Sequence, residues 1–319
     1  MTGWRNWTGL GAAVVGVTTL LGTLLGFLAA RGWLLDLLAN FRFQYLWIGF
    51  LATGVVLWRR WWWPAAVIGF GVLLNVVLVS PYYLGGVPSP APGSPQVTVA
   101  HLNTLARNED RTRVVEFIRE SNADFVFLTE VTDPLVELID RAGDLPYDIV
   151  LRTPSGGLAL VHRRAMAGDS SIDAHVTNLG RTQLPAVVLE AQLGEQPFQI
   201  LAFQTSSPGR AAKAEGRDDQ LAAAAEWVAG RDVPVLLIGD FNATPWTPAL
   251  SDLIGTADLT DSARGRGFTG SWPAGWGPFK IPIDHALHSE GLTTVRRERG
   301  TSAGSDHMSL IVTLALADP

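Results

Sequence analysis

The chain contains no cysteine, which excludes disulfides and thiolate metal sites. An exported domain without cysteine cannot mispair, so the absence is compatible with an extracytoplasmic location. Acidic residues are almost missing from the first 84 positions. Asp36 is the single acid there, against Arg5, Arg31, Arg42, Arg59 and Arg60, for a net charge of +4. The rest of the chain has 19 basic and 29 acidic residues, a net charge of −10. So acidic a region repels a polyanion unless a local basic patch or metal ions compensate, which weighs against a dedicated nucleic-acid binder. Internal repeats and charged tails are absent as well.

Apolar residues are plentiful. They make up 47% of the 319 residues, the mean hydropathy is +0.20, and the excess sits in residues 1–84 with 8 of the 12 Trp. Three spans stand out, at residues 10–30, 43–58 and 64–84, the last with Asn75 as its one strongly polar side chain. Each approaches the ~20 residues a membrane-crossing helix needs. Trp58, Trp61, Trp62, Trp63, Tyr82 and Tyr83 lie at span ends, where amphipathic rings favour the interface. Three transmembrane helices are therefore expected, in preference to a buried soluble bundle or a cleaved signal peptide behind Arg5. Arg59-Arg60 marks the connection between spans two and three as cytoplasmic. The amino terminus is then also cytoplasmic, and everything after Leu84 is extracytoplasmic. Residues 32–41, between spans one and two, are expected as an interfacial amphipathic turn. Residues 85–96 are rich in Pro and Gly and form a semi-extended linker that reaches at most ~40 Å. The expected organisation is a membrane domain at 1–84, a linker at 85–96 and a catalytic domain at 97–319.

The tetrad Gly239-Asp240-Phe241-Asn242 follows the aliphatic run 233–238, which reads as a buried strand. An Asp and an Asn two residues apart at a strand end point to one face and suit work on a water and a phosphoryl oxygen. An Asx turn closing the strand is the bland reading of the same residues, and the two coexist. Ile283-Asp284-His285 and Ser305-Asp306-His307 each place an Asp-His pair beside a short apolar run.

Together with Asn103 in Ala100-His101-Leu102-Asn103 and Glu130 at the end of the run 124–130, these motifs resemble the endonuclease/exonuclease/phosphatase superfamily, in its membrane-anchored bacterial form. The resemblance covers roughly residues 96–316, and its motifs come in the family's order. It implies a four-layered α/β sandwich, with two packed mixed sheets flanked by helices and the site at one edge of the strands. Strand-like runs at 97–102, 125–128, 158–162, 186–191, 198–203, 235–238, 285–288 and 310–315 suit that architecture, as do helical patterns at 110–121 and Ala211–Ala229.

The resemblance also implies roles. Glu130 would bind Mg²⁺ or Mn²⁺, with Asn103 supporting the metal or orienting a carboxylate and Asp306 facing it. Asp240 would activate the attacking water. Asn242 would contact the phosphoryl oxygen. His307, oriented by Asp284, would stabilise the transition state. Thr129 stands where Gln is commoner, and a second departure bears on the chemistry. The His expected after the strand at 198–203 is replaced by Gln204, which cannot shuttle a proton but can donate a hydrogen bond. His101 and His285 are assigned to packing or support, and Trp246, Trp272, Trp276 and Phe279 to loops that grip a substrate or pack. The expected protein is a membrane-tethered, divalent-metal-dependent phosphoesterase acting outside the cytoplasm on a phosphodiester or phosphomonoester, such as a lipid head group or lipid-linked glycan phosphate. The alternatives are an extracellular nuclease and a pseudoenzyme that binds a phosphorylated ligand without turnover.

Overall fold

The computed structural model describes residues 2–85, 89–90, 92–166, 172–182 and 184–317. Part of the expected linker, residues 86–88 and 91, lies outside the described residues, as does the side chain of Arg5. The chain begins with helices α1 (Thr2–Gly26), α2 (Trp33–Ala39), α3 (Arg42–Trp58) and α4 (Trp62–Val79). The α/β region follows as β1 (Gln96–Asn103), α5 (Thr112–Ser121), β2 (Phe125–Thr129), α6 (Asp133–Arg141), β3 (Tyr147–Arg152), β4 (Leu158–His162), β5 (Asp173–Thr177), β6 (Ala186–Leu193), β7 (Gln196–Gln204), α7 (Ala211–Ala229), β8 (Val235–Asp240), α8 (Pro248–Thr256), β9 (Thr260–Asp261), β10 (Asp284–His288), β11 (Leu292–Arg299) and β12 (Leu310–Leu316).

Two six-stranded mixed sheets, ordered β11-β12-β1-β2-β4-β3 and β5-β6-β7-β8-β10-β9, pack face to face. Val99, Phe127, Leu189, Ile200, Ile238 and Val312 belong to the core between them. The outer face of the first sheet is covered by α5 and α6, through Val114, Phe117, Ile118, Leu135 and Ile139. The outer face of the second is covered by α7 and α8, through Leu221, Ala225, Leu250 and Leu253. Alternation of inward and outward apolar residues on both faces produces these four layers. All eight expected strands are present. The four strands without a continuous apolar run, β3, β5, β9 and β11, are the four sheet edges.

The membrane-type helices differ from expectation in one respect. Two segments, Trp7–Gly26 and Trp62–Tyr82, are long and apolar enough to cross a membrane. The middle span reaches that criterion only as a bent pair, α2 with α3, at 62°. The 17 residues of α3 rise about 26 Å, short of the ~30 Å hydrocarbon core. Small residues bring the helices together. A Cβ on Gly16 would lie 2.5 Å from Ile68, and one on Gly22 would lie 2.7 Å from Tyr45. Asn75 donates to the Thr23 hydroxyl at 2.7 Å, and Arg42 donates to the Thr23 carbonyl at 2.6 Å. The α1 start lies by Arg59 and Trp61 at one end of the bundle, and α2 sits at the other end with the close of α4.

That second end packs directly on the α/β region. Asp36 of α2 pairs with Arg217 of α7 at 2.9 Å, both buried. Asn40 accepts the Thr244 N–H at 3.2 Å. Gln44 donates to the Lys280 carbonyl at 2.8 Å, and Trp246 donates its indole N–H to the Leu78 carbonyl at 3.0 Å. Phe43 stacks on Phe268 at 3.9 Å. The α/β region is therefore joined to the helices by buried contacts as well as by the linker.

Removing one partner of a buried ion pair strands the other charge at about 3–5 kcal/mol. Arg217 retains the half-exposed Asp218 at 2.6 Å, which keeps the expected loss for Asp36→Ala near the lower end, about 3 kcal/mol. Thermal unfolding of the full chain in detergent should show a clear drop in midpoint; no drop would show that the pair does not hold the two parts together.

Candidate active site

The register of three strands sets the centre of the site. Parallel pairing places Gln204, the last residue of β7, beside Asp240, the last residue of β8. Antiparallel pairing places Asp284, the first residue of β10, on the other side of Asp240. Gly239 permits this close pairing. Its φ is +154, and a Cβ there would stand 1.8 Å from the Phe203 carbonyl oxygen. In the other sheet β1 and β2 end together, with Asn103 opposite Thr129 and Glu130 next in the chain. His307 arrives from the turn before β12. Ser305 fixes that turn by donating to the Asn103 carbonyl at 2.6 Å and accepting the His307 N–H at 3.0 Å.

His307 lies between two carboxylates. Its Nδ1 is 2.9 Å from Asp284 Oδ2, and its Nε2 is 3.8 Å from Asp240 Oδ2. Burial works against the imidazolium, but Asp284 and Asp240 outweigh it and raise its pKa to about 10. Burial also works against an ionised Asp284, yet the His307 cation and its hydrogen bond hold that carboxyl below its ordinary value. For Asp240, burial prevails over the attraction of His307 and pushes the pKa up to about 7. Behind Asp284 stands buried His101, its Nδ1 3.5 Å from Asp284 Oδ1. Burial pulls His101 down to about 4, which leaves it neutral. Ser271, which the sequence reading did not single out, accepts the N–H groups of Ile283 and Asp284, each at 3.2 Å.

Glu130 forms the second half of the site. Asn103 donates to its Oε1 at 2.9 Å, Gln204 donates to the same oxygen at 2.9 Å, and the Ala106 N–H donates to Oε2 at 3.1 Å. Burial would raise its pKa, but these hydrogen bonds hold it below the ordinary value. The residue adopts the left-handed region, φ +56, a strained conformation of the kind found at functional sites. Asn103 and Gln204 also donate to Asp240 Oδ2, at 3.1 and 3.5 Å. Both amides thus face carboxylates. Asn103 accepts the Leu105 N–H at 3.0 Å, so it orients Glu130 and Asp240 with its donors.

Asp240, Asp284 and His307 offer ligand atoms within 4.8 Å of one another. While His307 holds both ring protons it has no lone pair for a cation, and with Asp240 and Asp284 it then forms an ion triad. The residues that fit a metal are the ionised Glu130 and the half-buried Asp306, both lining one cavity. Oxygen donors of this kind suit a hard, partly hydrated divalent cation. Asp306 accepts the Trp272 indole N–H at 3.1 Å.

Asn242 lies beyond the strand end, at φ +47. Its N–H donates to Asp240 Oδ1 at 3.1 Å, which is the Asx turn foreseen as the bland reading, and its side-chain amide donates to the Thr205 carbonyl at 3.1 Å. It also borders the cavity. Glu130, Gln204, Asp240, Asn242, Asp306 and His307 all line this cavity of about 500 Å³; Asn103 and Asp284 stand behind them. Trp272 is at its wall, while Trp246 is engaged in docking to the helices. The cavity has a part the motifs did not foretell: Trp33, Leu37 and Phe41, from the stretch read as an interfacial turn, form one side of it.

Residues 99–307 match the Endonuclease/Exonuclease/phosphatase family. The fold is similar to humanized D. rerio TDP2 carrying 14 mutations, at TM-score 0.57 and 13% identity over 69% of this chain and 98% of that one. It is similar to the human Nocturnin catalytic domain with bound sulfate anion, at TM-score 0.55 and 18% identity over 72% and 97%. A third likeness is the endonuclease/exonuclease/phosphatase from Beutenbergia cavernae DSM 12333, at TM-score 0.53 and 17% identity over 70% and 72%. Curated proteins gave no match.

The ion triad predicts a pH dependence of stability in metal-free protein. Below about 6.5, the unfolded His value, both states hold the His307 proton and its contribution is present in full. Above that, the folded state alone retains it, so stability falls as pH rises through the folded value of about 10. Asp240, also raised, has the same sign between its ordinary value and about 7. Unfolding midpoints in chelator from pH 6.5 to 10 should decline for wild type and much less for His307→Gln. Parallel curves would rule out a buried imidazolium.

Proposed function

Because this chain belongs to the endonuclease/exonuclease/phosphatase family, we propose that it is a membrane-anchored, divalent-metal-dependent phosphoesterase that hydrolyses a phosphoester at the membrane surface, outside the cytoplasm. The observation that carries this reading is that Glu130, Asp240 and His307 line the same cavity as the apolar side chains of Trp33 and Leu37 of α2. Asp240, with a pKa raised to about 7, is poised to take the proton of an attacking water near neutral pH. The imidazolium of His307, held by Asp284, turns Nε2 toward the charge that develops on a phosphoryl oxygen. Asn242 stands at the cavity edge as a further donor. As water bonds to phosphorus its proton passes to Asp240, the bond to the leaving oxygen breaks, and that oxygen takes up a proton from solvent. Glu130 and Asp306 would hold Mg²⁺ or Mn²⁺, which supplies Lewis-acid stabilisation of the phosphoryl oxygen when bound.

Nuclease activity is the less favoured reading. Residues 85–319 carry a net −10 charge, and neither Lys nor Arg is among the described residues lining the cavity. The pseudoenzyme reading draws on Gln204. Its two closest acceptors are carboxylates of the site, so its amide helps to place Glu130 and Asp240, a role compatible with turnover.

Two experiments test the reading. Glu130→Gln should depress metal-dependent hydrolysis of a chromogenic phosphodiester by roughly 10²-fold or more while the unfolding midpoint changes little, and Gln204→His should raise the wild-type rate by up to about 10²-fold. Identical background rates in wild type, both variants and Asp240→Asn, on phospholipids and plasmid DNA as well, would replace the enzyme with a binding module. The orientation is tested separately. A reporter fused after Pro319 should be active only in an extracytoplasmic assay, and cytoplasmic activity would reverse the topology.

A further inference from the structure

We propose that α2 is part of the active site, with Trp33, Leu37 and Phe41 forming the subsite for the apolar chain of a diester phospholipid drawn from the surrounding bilayer. This rests on the phosphoesterase reading and adds the half of the substrate that the phosphate chemistry does not see.

Residues 33–41, α2 and the turn after it, present three faces. Trp33, Leu37 and Phe41 recur every four residues and line the cavity. Asp36 and Asn40, also four apart, are buried against the α/β region through Arg217 and the Thr244 N–H. Leu34 points elsewhere and is 60% exposed. The two polar anchors set the rotation of the helix, and that rotation puts the apolar stripe on the cleft. A stripe of large apolar side chains beside a phosphoester site does no work on phosphate. It is suited to whatever apolar group the phosphate carries.

A second stretch of the wall is built alike. Trp272, Ile281 and Ile283 line the same cavity, and Trp272 is fixed by its bond to Asp306. The same segment is tied to α3 by the bond from Gln44 to the Lys280 carbonyl. Beside that tie Trp276 and Phe279 are 66% and 52% exposed, as suits rings at a membrane interface. The two stretches thus both lie at the end of the helix bundle from which α2 emerges. Below them the bundle exposes Trp47, Phe50 and Leu51, the surface expected to meet lipid.

Charge selects the kind of lipid. The cavity presents Glu130, Asp240 and Asp306, and neither Lys nor Arg is among its described lining residues. Such a lining tolerates one negative charge near the metal better than two or three. It therefore suits a phosphodiester head group over a lipid monoester or diphosphate. A polynucleotide, with a charge at every phosphate, fits least.

The test uses the full chain in nanodiscs with Mg²⁺. The quantity measured is kcat/KM on a long-chain diacyl phospholipid divided by kcat/KM on bis(4-nitrophenyl) phosphate. Trp33→Ser and Leu37→Ser should each lower this ratio by about 10-fold or more, while Leu34→Ser, on the outer face of the same helix, keeps the wild-type ratio. A wild-type ratio in Leu37→Ser, or an equal fall in Leu34→Ser, would overturn the subsite. A binding measurement separates this proposal from the phosphoesterase reading. A diester phospholipid with a diazirine early in its acyl chain, irradiated in the same nanodiscs with Asp240→Asn protein, should label Trp33, Leu37 or Phe41. Label confined to Leu34 and the outer faces of α1 and α4 would overturn the subsite whatever the turnover. Label on the subsite with no hydrolysis of any phosphoester by wild type would uphold it and refute the enzyme.

Discussion

A buried imidazolium held between two carboxylates is the constraint on which the rest of the site depends. Asp240, Asp284 and His307 come from β8, β10 and the turn before β12, so both sheets must meet in register for the charges to pair. Each ion alone would be expensive to bury, and a well-hydrogen-bonded arrangement makes the burial tolerable. The surrounding polar residues complete that arrangement. Ser271 receives the backbone before and at Asp284, Ser305 ties the His307 turn to β1, and Asn103 bridges Glu130 and Asp240. A shift of one residue in β8 or β10 would turn a carboxylate to the opposite face of the sheet and leave the cation unpaired.

Much of this was legible in the sequence, for a physical reason that also explains the misses. The eight strands read from apolar runs are the interior strands of the two sheets, which are buried on both faces and must be continuously apolar. The four missed strands are the edges. Edge strands carry charges and half-exposed residues that discourage further pairing, as in Arg296, Arg297, Glu298 and Arg299 of β11. The nine-residue helices α6 and α8 were not read from the sequence. Their starts were nevertheless marked, by Thr132-Asp133-Pro134 and Thr247-Pro248, with Pro in the first turn of each. The candidate site residues could be picked out together because each ends an interior strand or sits in a turn beside one. Ser271 and Ser305 were given no role, because a serine that bonds backbone has no pattern of its own.

The contact between the helices and the α/β region was invisible for a different reason. Asp36 stands out as the one acid among 84 residues, but its partner Arg217 is 181 residues away. A Pro- and Gly-rich linker suggested reach, whereas the structure brings together Asp36 with Arg217, Asn40 with Thr244, Gln44 with Lys280 and Trp246 with Leu78. Three of these four contacts come from the connection between the first two apolar spans and the start of α3, the stretch whose amphipathic character had suggested an interfacial turn.

The replacement at Gln204 gains meaning from this setting. A histidine there could bring a second positive charge to a site already holding Glu130, Asp240, Asp284 and Asp306. Gln204 gives the same donor hydrogen to Glu130 without the charge. On the phosphoesterase proposal, neutralisation of an anionic substrate would fall more heavily on His307 and on a cation at Glu130, since no Lys or Arg is among the described lining residues. A site so short of positive charge gains little from phosphate attraction alone. The proposed substrate would then need a second source of binding energy, and apolar burial against α2 is one that an anionic cleft does not oppose.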